Sequence, residues 1–318
     1  MGIRICGTGA AVPDKIVTND DLTAYMETSD EWITQRTGIR ERRVLSGNET
    51  LLSLATRAAA DALQDAGTEP SEVDLLIVTT LGGDFKTPSL SCLLAGELGI
   101  DCITLDVNMA CCGFVYGLNT ASAYIGAGMA KKVLLVSAEA LSRIADWKDR
   151  STCVLFGDAA TAVVVEPGEY NPTFVLKIDG KDGWQHLYAR RTSDSSPFGD
   201  PDYADNGFLH MNGQEIYKFA VSSVTGRLRE LFDAAGCTLE DVRAVLLHQA
   251  NLRIINGAAS RFGEIEKFPH NVERYGNTSS ASVPLLLHEY AKELRRGDKI
   301  ILCAFGAGLS SAACLLEW

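Results

Sequence analysis

The sequence predicts an α/β fold of two similar halves, each with its own central sheet, and three observations predict it. The first is internal repetition. The stretch 56–80 (TRAAADALQDAGTEPSEVDLLIVTT) and the stretch 225–249 (TGRLRELFDAAGCTLEDVRAVLLHQ) both read as an amphipathic helix, a glycine stop, a polar turn and an apolar strand. Gly67 and Val73 correspond to Gly236 and Val242, each at an offset of 169 residues. The second is that later segments echo in the same order: KKVLLVSAEA (131–140) resembles GDKIILCAFG (297–306), and GDAATAVVVE (157–166) resembles GLSSAACLLE (308–317). The third is the character of the strands. LLIVTT, VLLVSAE, TAVVVE, AVLLH, IILCAF and ACLLEW are unbroken Val, Ile and Leu runs, as expected where helices cover both faces of a sheet.

Length agrees: 318 residues at about 150 per domain suit two units, placed here at 1–168 and 169–318. A chain that is 46% hydrophobic and 22% charged can bury a large core, which excludes disorder and a disulfide-held mini-protein. Between the repeats, residues 168–207 are rich in Gly, Pro and Asp and too long for a plain connector; short strands and a surface flap bordering a site are expected there. Net charge is −12, from 29 basic and 41 acidic side chains, which argues against a nucleic-acid partner. The nine cysteines (6, 92, 102, 111, 112, 153, 237, 303 and 314) include no C-x-x-C pair, which fits reduced, cytoplasmic usage rather than a disulfide framework or a zinc site. No apolar run reaches eighteen residues and the N-terminus lacks a signal-peptide pattern, so a cytoplasmic protein without a membrane partner is expected.

Chemistry is suggested first by ITLDVNMACCGFVYGLNTASAYIGAGMA (103–130), which places Cys111 and Cys112 at a strand-to-helix turn. The helix dipole there favours thiolate, and free N–H groups favour an oxyanion. Taken alone, a cysteine at such a turn is more often just a small buried hydrophobe. His248 leaves the strand AVLLH at its carboxyl end, where α/β sheets place functional groups, although a satisfied strand-end histidine has the same pattern. Asn277, in ERYGNTSSASVPLLL, reads as part of a donor set or as an ordinary loop before a helix cap. In AFGAGLSSA (304–312) the glycines suit close backbone approach to a ligand, or a plain turn.

Taken as an ordered set, ACCGFVYGL, HQANLRI, YGNTSSASVP and AFGAG, with TSDEWITQRTGIRERR near the start and LFGDAATAVVV before the midpoint, resemble the β-ketoacyl-acyl-carrier-protein synthase III family. These are the initiating condensing enzymes of dissociated fatty-acid synthesis, and the resemblance covers nearly the whole chain. It implies a thiolase-like duplicated five-layer α/β/α/β/α fold, commonly a homodimer, with no metal and no permanently bound cofactor. By that resemblance Cys111 is the nucleophile, His248 and Asn277 are paired hydrogen-bond donors, and the backbone N–H of Ala307, where Gly is usual, is an oxyanion donor beside that of Cys111. Cys112 stands where the family more often has a small residue; consecutive helical side chains point about 100° apart, so both thiols cannot face one pocket.

Further implications concern the substrates. Trp32 and Arg150 match positions that sandwich the adenine of coenzyme A, Arg36 and Thr37 lie at its nucleotide end, and Asn251 matches a pantetheine contact. Arg253 and Arg261, on the helix after HQAN, match the surface that receives the acidic carrier protein, whereas Arg40, Arg42 and Arg43 read as a solvated face. Thr87, before Pro88 and two residues after Phe85, stands where a residue donated by the partner subunit closes the acyl pocket. If Thr87 is the gate, a primer longer than acetyl fits; with Phe85 swung in, the pocket is short. The implied reaction takes an acyl-CoA primer onto Cys111 and condenses it with malonyl-acyl carrier protein to 3-oxoacyl-acyl carrier protein, with loss of carbon dioxide. The alternatives are a polyketide- or alkylquinolone-type enzyme of the same fold and a thioesterase using Cys111 and His248.

Overall fold

The computed structural model describes residues 2–179, 183–190, 198 and 205–318. Its strands are β1 (Gly2–Ala11), β2 (Ile16–Thr18), β3 (Glu41–Arg43), β4 (Leu75–Thr79), β5 (Ile103–Val107), β6 (Val133–Ala140), β7 (Asp158–Gly168), β8 (Thr173–Ile178), β9 (Leu187–Ala189), β10 (Leu209–Met211), β11 (Ala244–Leu247), β12 (Lys299–Gly306) and β13 (Ser310–Glu317). The α-helices are α1 (Asn19–Leu22), α2 (Asp30–Thr37), α3 (Leu51–Ala66), α4 (Leu90–Leu98), α5 (Gly113–Gly126), α6 (Gly213–Ala235), α7 (Leu252–Ala259), α8 (Val272–Tyr275) and α9 (Ser282–Tyr290).

Two main sheets form, with orders β1-β7-β6-β4-β5 and β8-β13-β12-β11. Both begin with two antiparallel pairings and continue with a parallel one: β1/β7, β7/β6 and β6/β4 in the first, β8/β13, β13/β12 and β12/β11 in the second. β5, parallel to β4, has no counterpart. The repeated sequence units become matching pieces of chain. α3 stops at Gly67 (φ 60°, ψ 35°) and α6 at Gly236 (φ 62°, ψ 38°), left-handed caps that glycine adopts without a Cβ penalty. A 3-10 turn follows each, at Pro70–Glu72 and Leu239–Asp241, and then β4 or β11.

The unbroken apolar strands are explained by burial on both faces. Leu75 and Ile77 of β4 face inward, with Ala244 and Leu246 of β11, onto a layer made by α5 (Val115, Leu118) and α9 (Val283, Leu286). Leu76 and Val78 face the opposite way onto α3 and α4, and Val245 and Leu247 onto α6 and α7. Five layers result, α/β/α/β/α, with both strand faces dry.

One expectation is met here and one changes. The connecting stretch holds short strands that border the cavity, as expected: β8 is the edge of the second sheet, and β9 pairs with β10 in a short ribbon. Residues 180–182, 191–197 and 199–204 lie outside the described residues. The basic cluster near the start is not a solvated face at its centre. Arg40 is exposed, but Arg42, paired through β3 to β2, is fully buried and donates to the carbonyls of Val17 (3.2 Å) and Val154 (2.8 Å). Burial pushes its guanidinium down to about 10. It is a strut tying the β2–β3 ribbon to the body, a role that two carbonyl acceptors allow and net charge does not reveal.

No helix among the described residues is long and apolar enough to cross a membrane, and among those residues no group of His, Cys, Asp and Glu could hold a metal ion.

Candidate active site

A cavity of about 1820 Å³ opens where the parallel strands of both sheets end. Leu81 after β4, Cys111 after β5, Glu139 near the end of β6, His248 after β11 and Gly306 ending β12 all line it. Carboxyl ends of parallel strands are where connecting loops can diverge and leave a crevice.

The turn that carries Cys111 is tightly specified. Asn108 Oδ1 accepts from Ala110 N (3.2 Å), Ala110 is forced to φ 46°, and a 3-10 turn over Ala110–Cys112 feeds α5. A non-glycine residue held in the left-handed region is a local strain that surrounding contacts must maintain. Cys111 faces the cavity and its N–H has no acceptor among the described residues. Gly306 comes so close that a Cβ there would lie 3.0 Å from Cys111 N, so a side chain at this position would push on the Cys111 turn. The next residue, Ala307, is not in the left-handed region, so its methyl adds no backbone strain, and its N–H is also unpaired among the described residues. Cys112 points away, fully buried in the inter-sheet layer, its thiol exchanging contacts with Ser310 at 3.5 Å.

The expected dipole stabilisation of a thiolate meets an opposing effect. Burial pushes the Cys111 thiol up to about 12; the Ser279 hydroxyl opposes this and the Glu139 carboxylate adds to it. Desolvation thus works against the helix terminus and favours the thiol form.

On the opposite wall, His248 is 1% exposed and burial holds its imidazole down at about 3, hence neutral. Its Nδ1 lies 2.6 Å from Ser282 Oγ, and its ring meets Phe305 edge-on at 5.1 Å. Asn277 is pinned by backbone bonds to both neighbours of Phe156: its N–H donates to Leu155 O (2.7 Å), and Gly157 N donates to its carbonyl (3.0 Å). Its side-chain Oδ1 accepts from Ser279 N (2.8 Å), leaving the amide NH₂ without a partner among the described residues. The three side chains singled out from the sequence therefore line one cavity.

Sequence reading missed the group beneath them. Glu139 is 1% exposed and accepts from Leu81 N (3.0 Å), Ser280 N (3.4 Å) and Ser280 Oγ (2.6 Å). Burial lifts its carboxyl to about 7 against those donors. The available signal was an acidic residue inside an otherwise apolar strand, VLLVSAEA, since such residues are seldom buried without a reason.

The cavity mouth is built differently. Arg36 and Arg150 both lie over the Trp32 ring, at 4.4 and 5.0 Å from its centroid, and Arg150 also donates to Glu27 O (3.0 Å). Thr37 lines the cavity, but its hydroxyl is engaged, donating to Ile33 O and accepting from Ile39 N. Asn251 caps α7, accepting from Arg253 N (2.8 Å) and donating to Arg36 O (3.3 Å). Arg253 sits 5.7 Å from the Tyr217 ring at the rim. Arg261 falls elsewhere: α7 ends at Ala259, which puts Arg261 in the following turn, exposed and off the cavity wall, rather than on the helix. Phe85 (59% exposed) and Thr87 do not line this chain's own cavity.

Matched sheets thus bring a cysteine turn from one and a histidine turn from the other to a single cavity. Comparison with known proteins places this arrangement in a family. The family described as 3-oxoacyl-[acyl-carrier-protein] synthase III matches residues 105–181, and its C-terminal counterpart matches 232–318. A β-ketoacyl-[acyl-carrier-protein] synthase III of Clostridium acetobutylicum is 42% identical over 99% of this chain and 98% of its own. The crystal structure of the synthase III from Aquifex aeolicus superposes with a TM-score of 0.92 at 42% identity, covering 100% of both chains. The priming β-ketosynthase of the R1128 polyketide pathway also superposes at 0.92, with 36% identity over 99% of this chain and 96% of its own. The chain belongs to the β-ketoacyl-[acyl-carrier-protein] synthase III family of acyltransferases.

Proposed function

We propose that this enzyme starts fatty-acid synthesis by condensing an acyl-CoA primer, consumed as substrate, with malonyl-acyl carrier protein. One observation carries the reading: Cys111, His248 and Asn277 face a common cavity, and each presents a hydrogen-bonding group with no protein partner among the described residues.

The Cys111 sulfur attacks the acyl-CoA thioester carbonyl, and the unpaired N–H groups of Cys111 and Ala307 receive the oxyanion. Collapse expels coenzyme A thiolate, which takes up the proton from Cys111 and leaves an acyl-enzyme. The malonyl thioester then places its carbonyl oxygen between His248 Nε2 and the Asn277 amide. Loss of carbon dioxide leaves an enolate held by these two neutral donors, and its carbon attacks the acyl-cysteine. Cys111 leaves as thiolate and takes up one proton from solvent to return to its starting form, with 3-oxoacyl carrier protein as product. A thioesterase would instead need a base to activate water, and a histidine held near 3 is a poor one.

The substrate contacts are part of the proposal. Trp32, Arg36, Thr37, Arg150 and Asn251 bind the coenzyme, and Arg253 on the rim receives the anionic carrier protein despite the net charge of −12. Residues 1–168 and 169–318 act as two halves, one supplying the nucleophile and the other the histidine and asparagine. The enzyme works in the cytoplasm as a homodimer. β5 supports this: an edge strand with Ile103 49% exposed and an unpaired ladder invites a second copy. Such a dimer lets Phe85 or Thr87 close the partner's acyl pocket, and a primer longer than acetyl is proposed. Assaying carbon dioxide release and 3-oxoacyl product across a panel of acyl-CoAs tests both points. Free acid and thiol as the sole products would overturn the condensation, and acylation by acetyl-CoA alone would overturn the longer primer.

A further inference from the structure

His248 is useful to an enolate only in one of its two neutral tautomers. A donor is needed at Nε2, so Nδ1 must be the bare nitrogen. Nothing in the imidazole itself enforces that choice, and the hydrogen bond at the other nitrogen decides it.

The partner of Nδ1 is Ser282 Oγ, at 2.6 Å. A hydroxyl has one proton and two lone pairs. One lone pair already accepts from Gln249 N (3.3 Å). Ser282 is 1% exposed, and among the described residues no acceptor other than His248 Nδ1 lies within hydrogen-bonding distance of its hydroxyl. Were Nδ1 protonated, the oxygen would accept twice and its own proton would be buried without an acceptor, a cost of about 1–3 kcal/mol. With Nδ1 bare, the hydroxyl donates to it, the Gln249 N–H keeps its acceptor, and every group is satisfied.

We infer that Ser282 is a positioning residue that locks His248 in the Nε2–H tautomer. The inference rests on the reading of His248 as an enolate donor. The same short segment treats Asn277 alike, since the Ser279 N–H claims its Oδ1 and turns the NH₂ outward. One loop, 277–282, thus fixes the polarity of both donors. Glu139 in turn grips that loop at its centre through Ser280.

The test is ¹⁵N NMR of histidine-labelled protein, in which only five imidazoles contribute. In the wild type His248 should show a protonated Nε2 and a bare Nδ1. Ser282→Ala should give a mixture of tautomers and slow malonyl decarboxylation about five- to tenfold, the scale of one lost neutral hydrogen bond. Acylation of Cys111 by acyl-CoA, which uses backbone donors, should change less than twofold by comparison. Ser282→Thr, keeping the hydroxyl, should restore both the spectrum and the rate. A wild-type spectrum with Nδ1 protonated overturns the inference without recourse to any variant, as does an unchanged tautomer in Ser282→Ala. The donor reading fails separately if the wild type shows Nε2–H but His248→Ala decarboxylates malonyl carrier protein normally.

Discussion

The two sheets run through the same strand order, yet the turns at their ends are built on different principles. The first sheet, extended by β5, delivers Cys111 on a turn strained at Ala110, beside the buried Glu139. The second delivers His248 straight from β11 and Asn277 from a loop whose serines tie down the acceptor ends of both. Burial favours the neutral form on both sides, lifting Cys111 to about 12 and Glu139 to about 7 and holding His248 at about 3. Cys111 and His248 are held toward their neutral forms and Glu139 titrates near neutrality, so on the proposed reading new negative charge develops during reaction where N–H groups are already waiting. On that reading the first half supplies the nucleophile and the second supplies most of the hydrogen-bond donors.

The sharpest way to break that division is to remove the nucleophile. Cys111→Ala should abolish acyl-enzyme in intact-mass analysis after incubation with acyl-CoA, while Cys112→Ala keeps it; the reverse pattern would move the nucleophile to the inter-sheet thiol. Next come the receivers. His248→Ala and Asn277→Ala should each slow decarboxylation by about 10²–10³, or about 2.7–4 kcal/mol, while acylation survives. Equal damage to both half-reactions would mean that the halves do not divide the chemistry.

The opposed shifts also separate the halves by pH. Glu139, raised from 4.5, keeps in the fold a proton that the unfolded chain releases; its contribution is full below 4.5 and lost as pH rises through about 7. His248, lowered from 6.5, contributes above 6.5 and loses that contribution as pH falls toward about 3. Denaturant unfolding of wild type and Glu139→Gln at pH 5 and pH 8 isolates the first effect. The wild type should lose about 2 kcal/mol more than the variant between those pH values. A parallel pair of curves would place the ionised form of Glu139 at no disadvantage in the fold. Smallest is the rim: Arg253→Glu should weaken use of carrier protein about tenfold and acyl-CoA use much less, as for a single surface charge facing an anionic partner.

Legibility followed the same boundary between pattern and tertiary detail. Gly67 and Gly236, and the apolar runs after them, disclosed the duplication because capping and burial on both strand faces are local consequences of composition. Cys111, His248 and Asn277 carried weak individual signals and a strong joint one. Ser282 and Glu139 were not singled out, since a serine before a helix and one acid in a strand acquire meaning only when a second half folds over them. Arg42 was misread for a related reason: its two carbonyl acceptors, at Val17 and Val154, come from segments 25 and 112 residues away.

The tryptophan at the cavity mouth carries one more consequence. A purine stacked between the Trp32 indole and a guanidinium needs about 7 Å between them, twice a carbon–carbon contact of about 3.5 Å. Arg150 stands only 5.0 Å from the ring centroid. On the proposed reading of Trp32 and Arg150 as the purine clamp, the guanidinium must withdraw by about 2 Å to admit a base, so coenzyme displaces a cation already stacked on the indole.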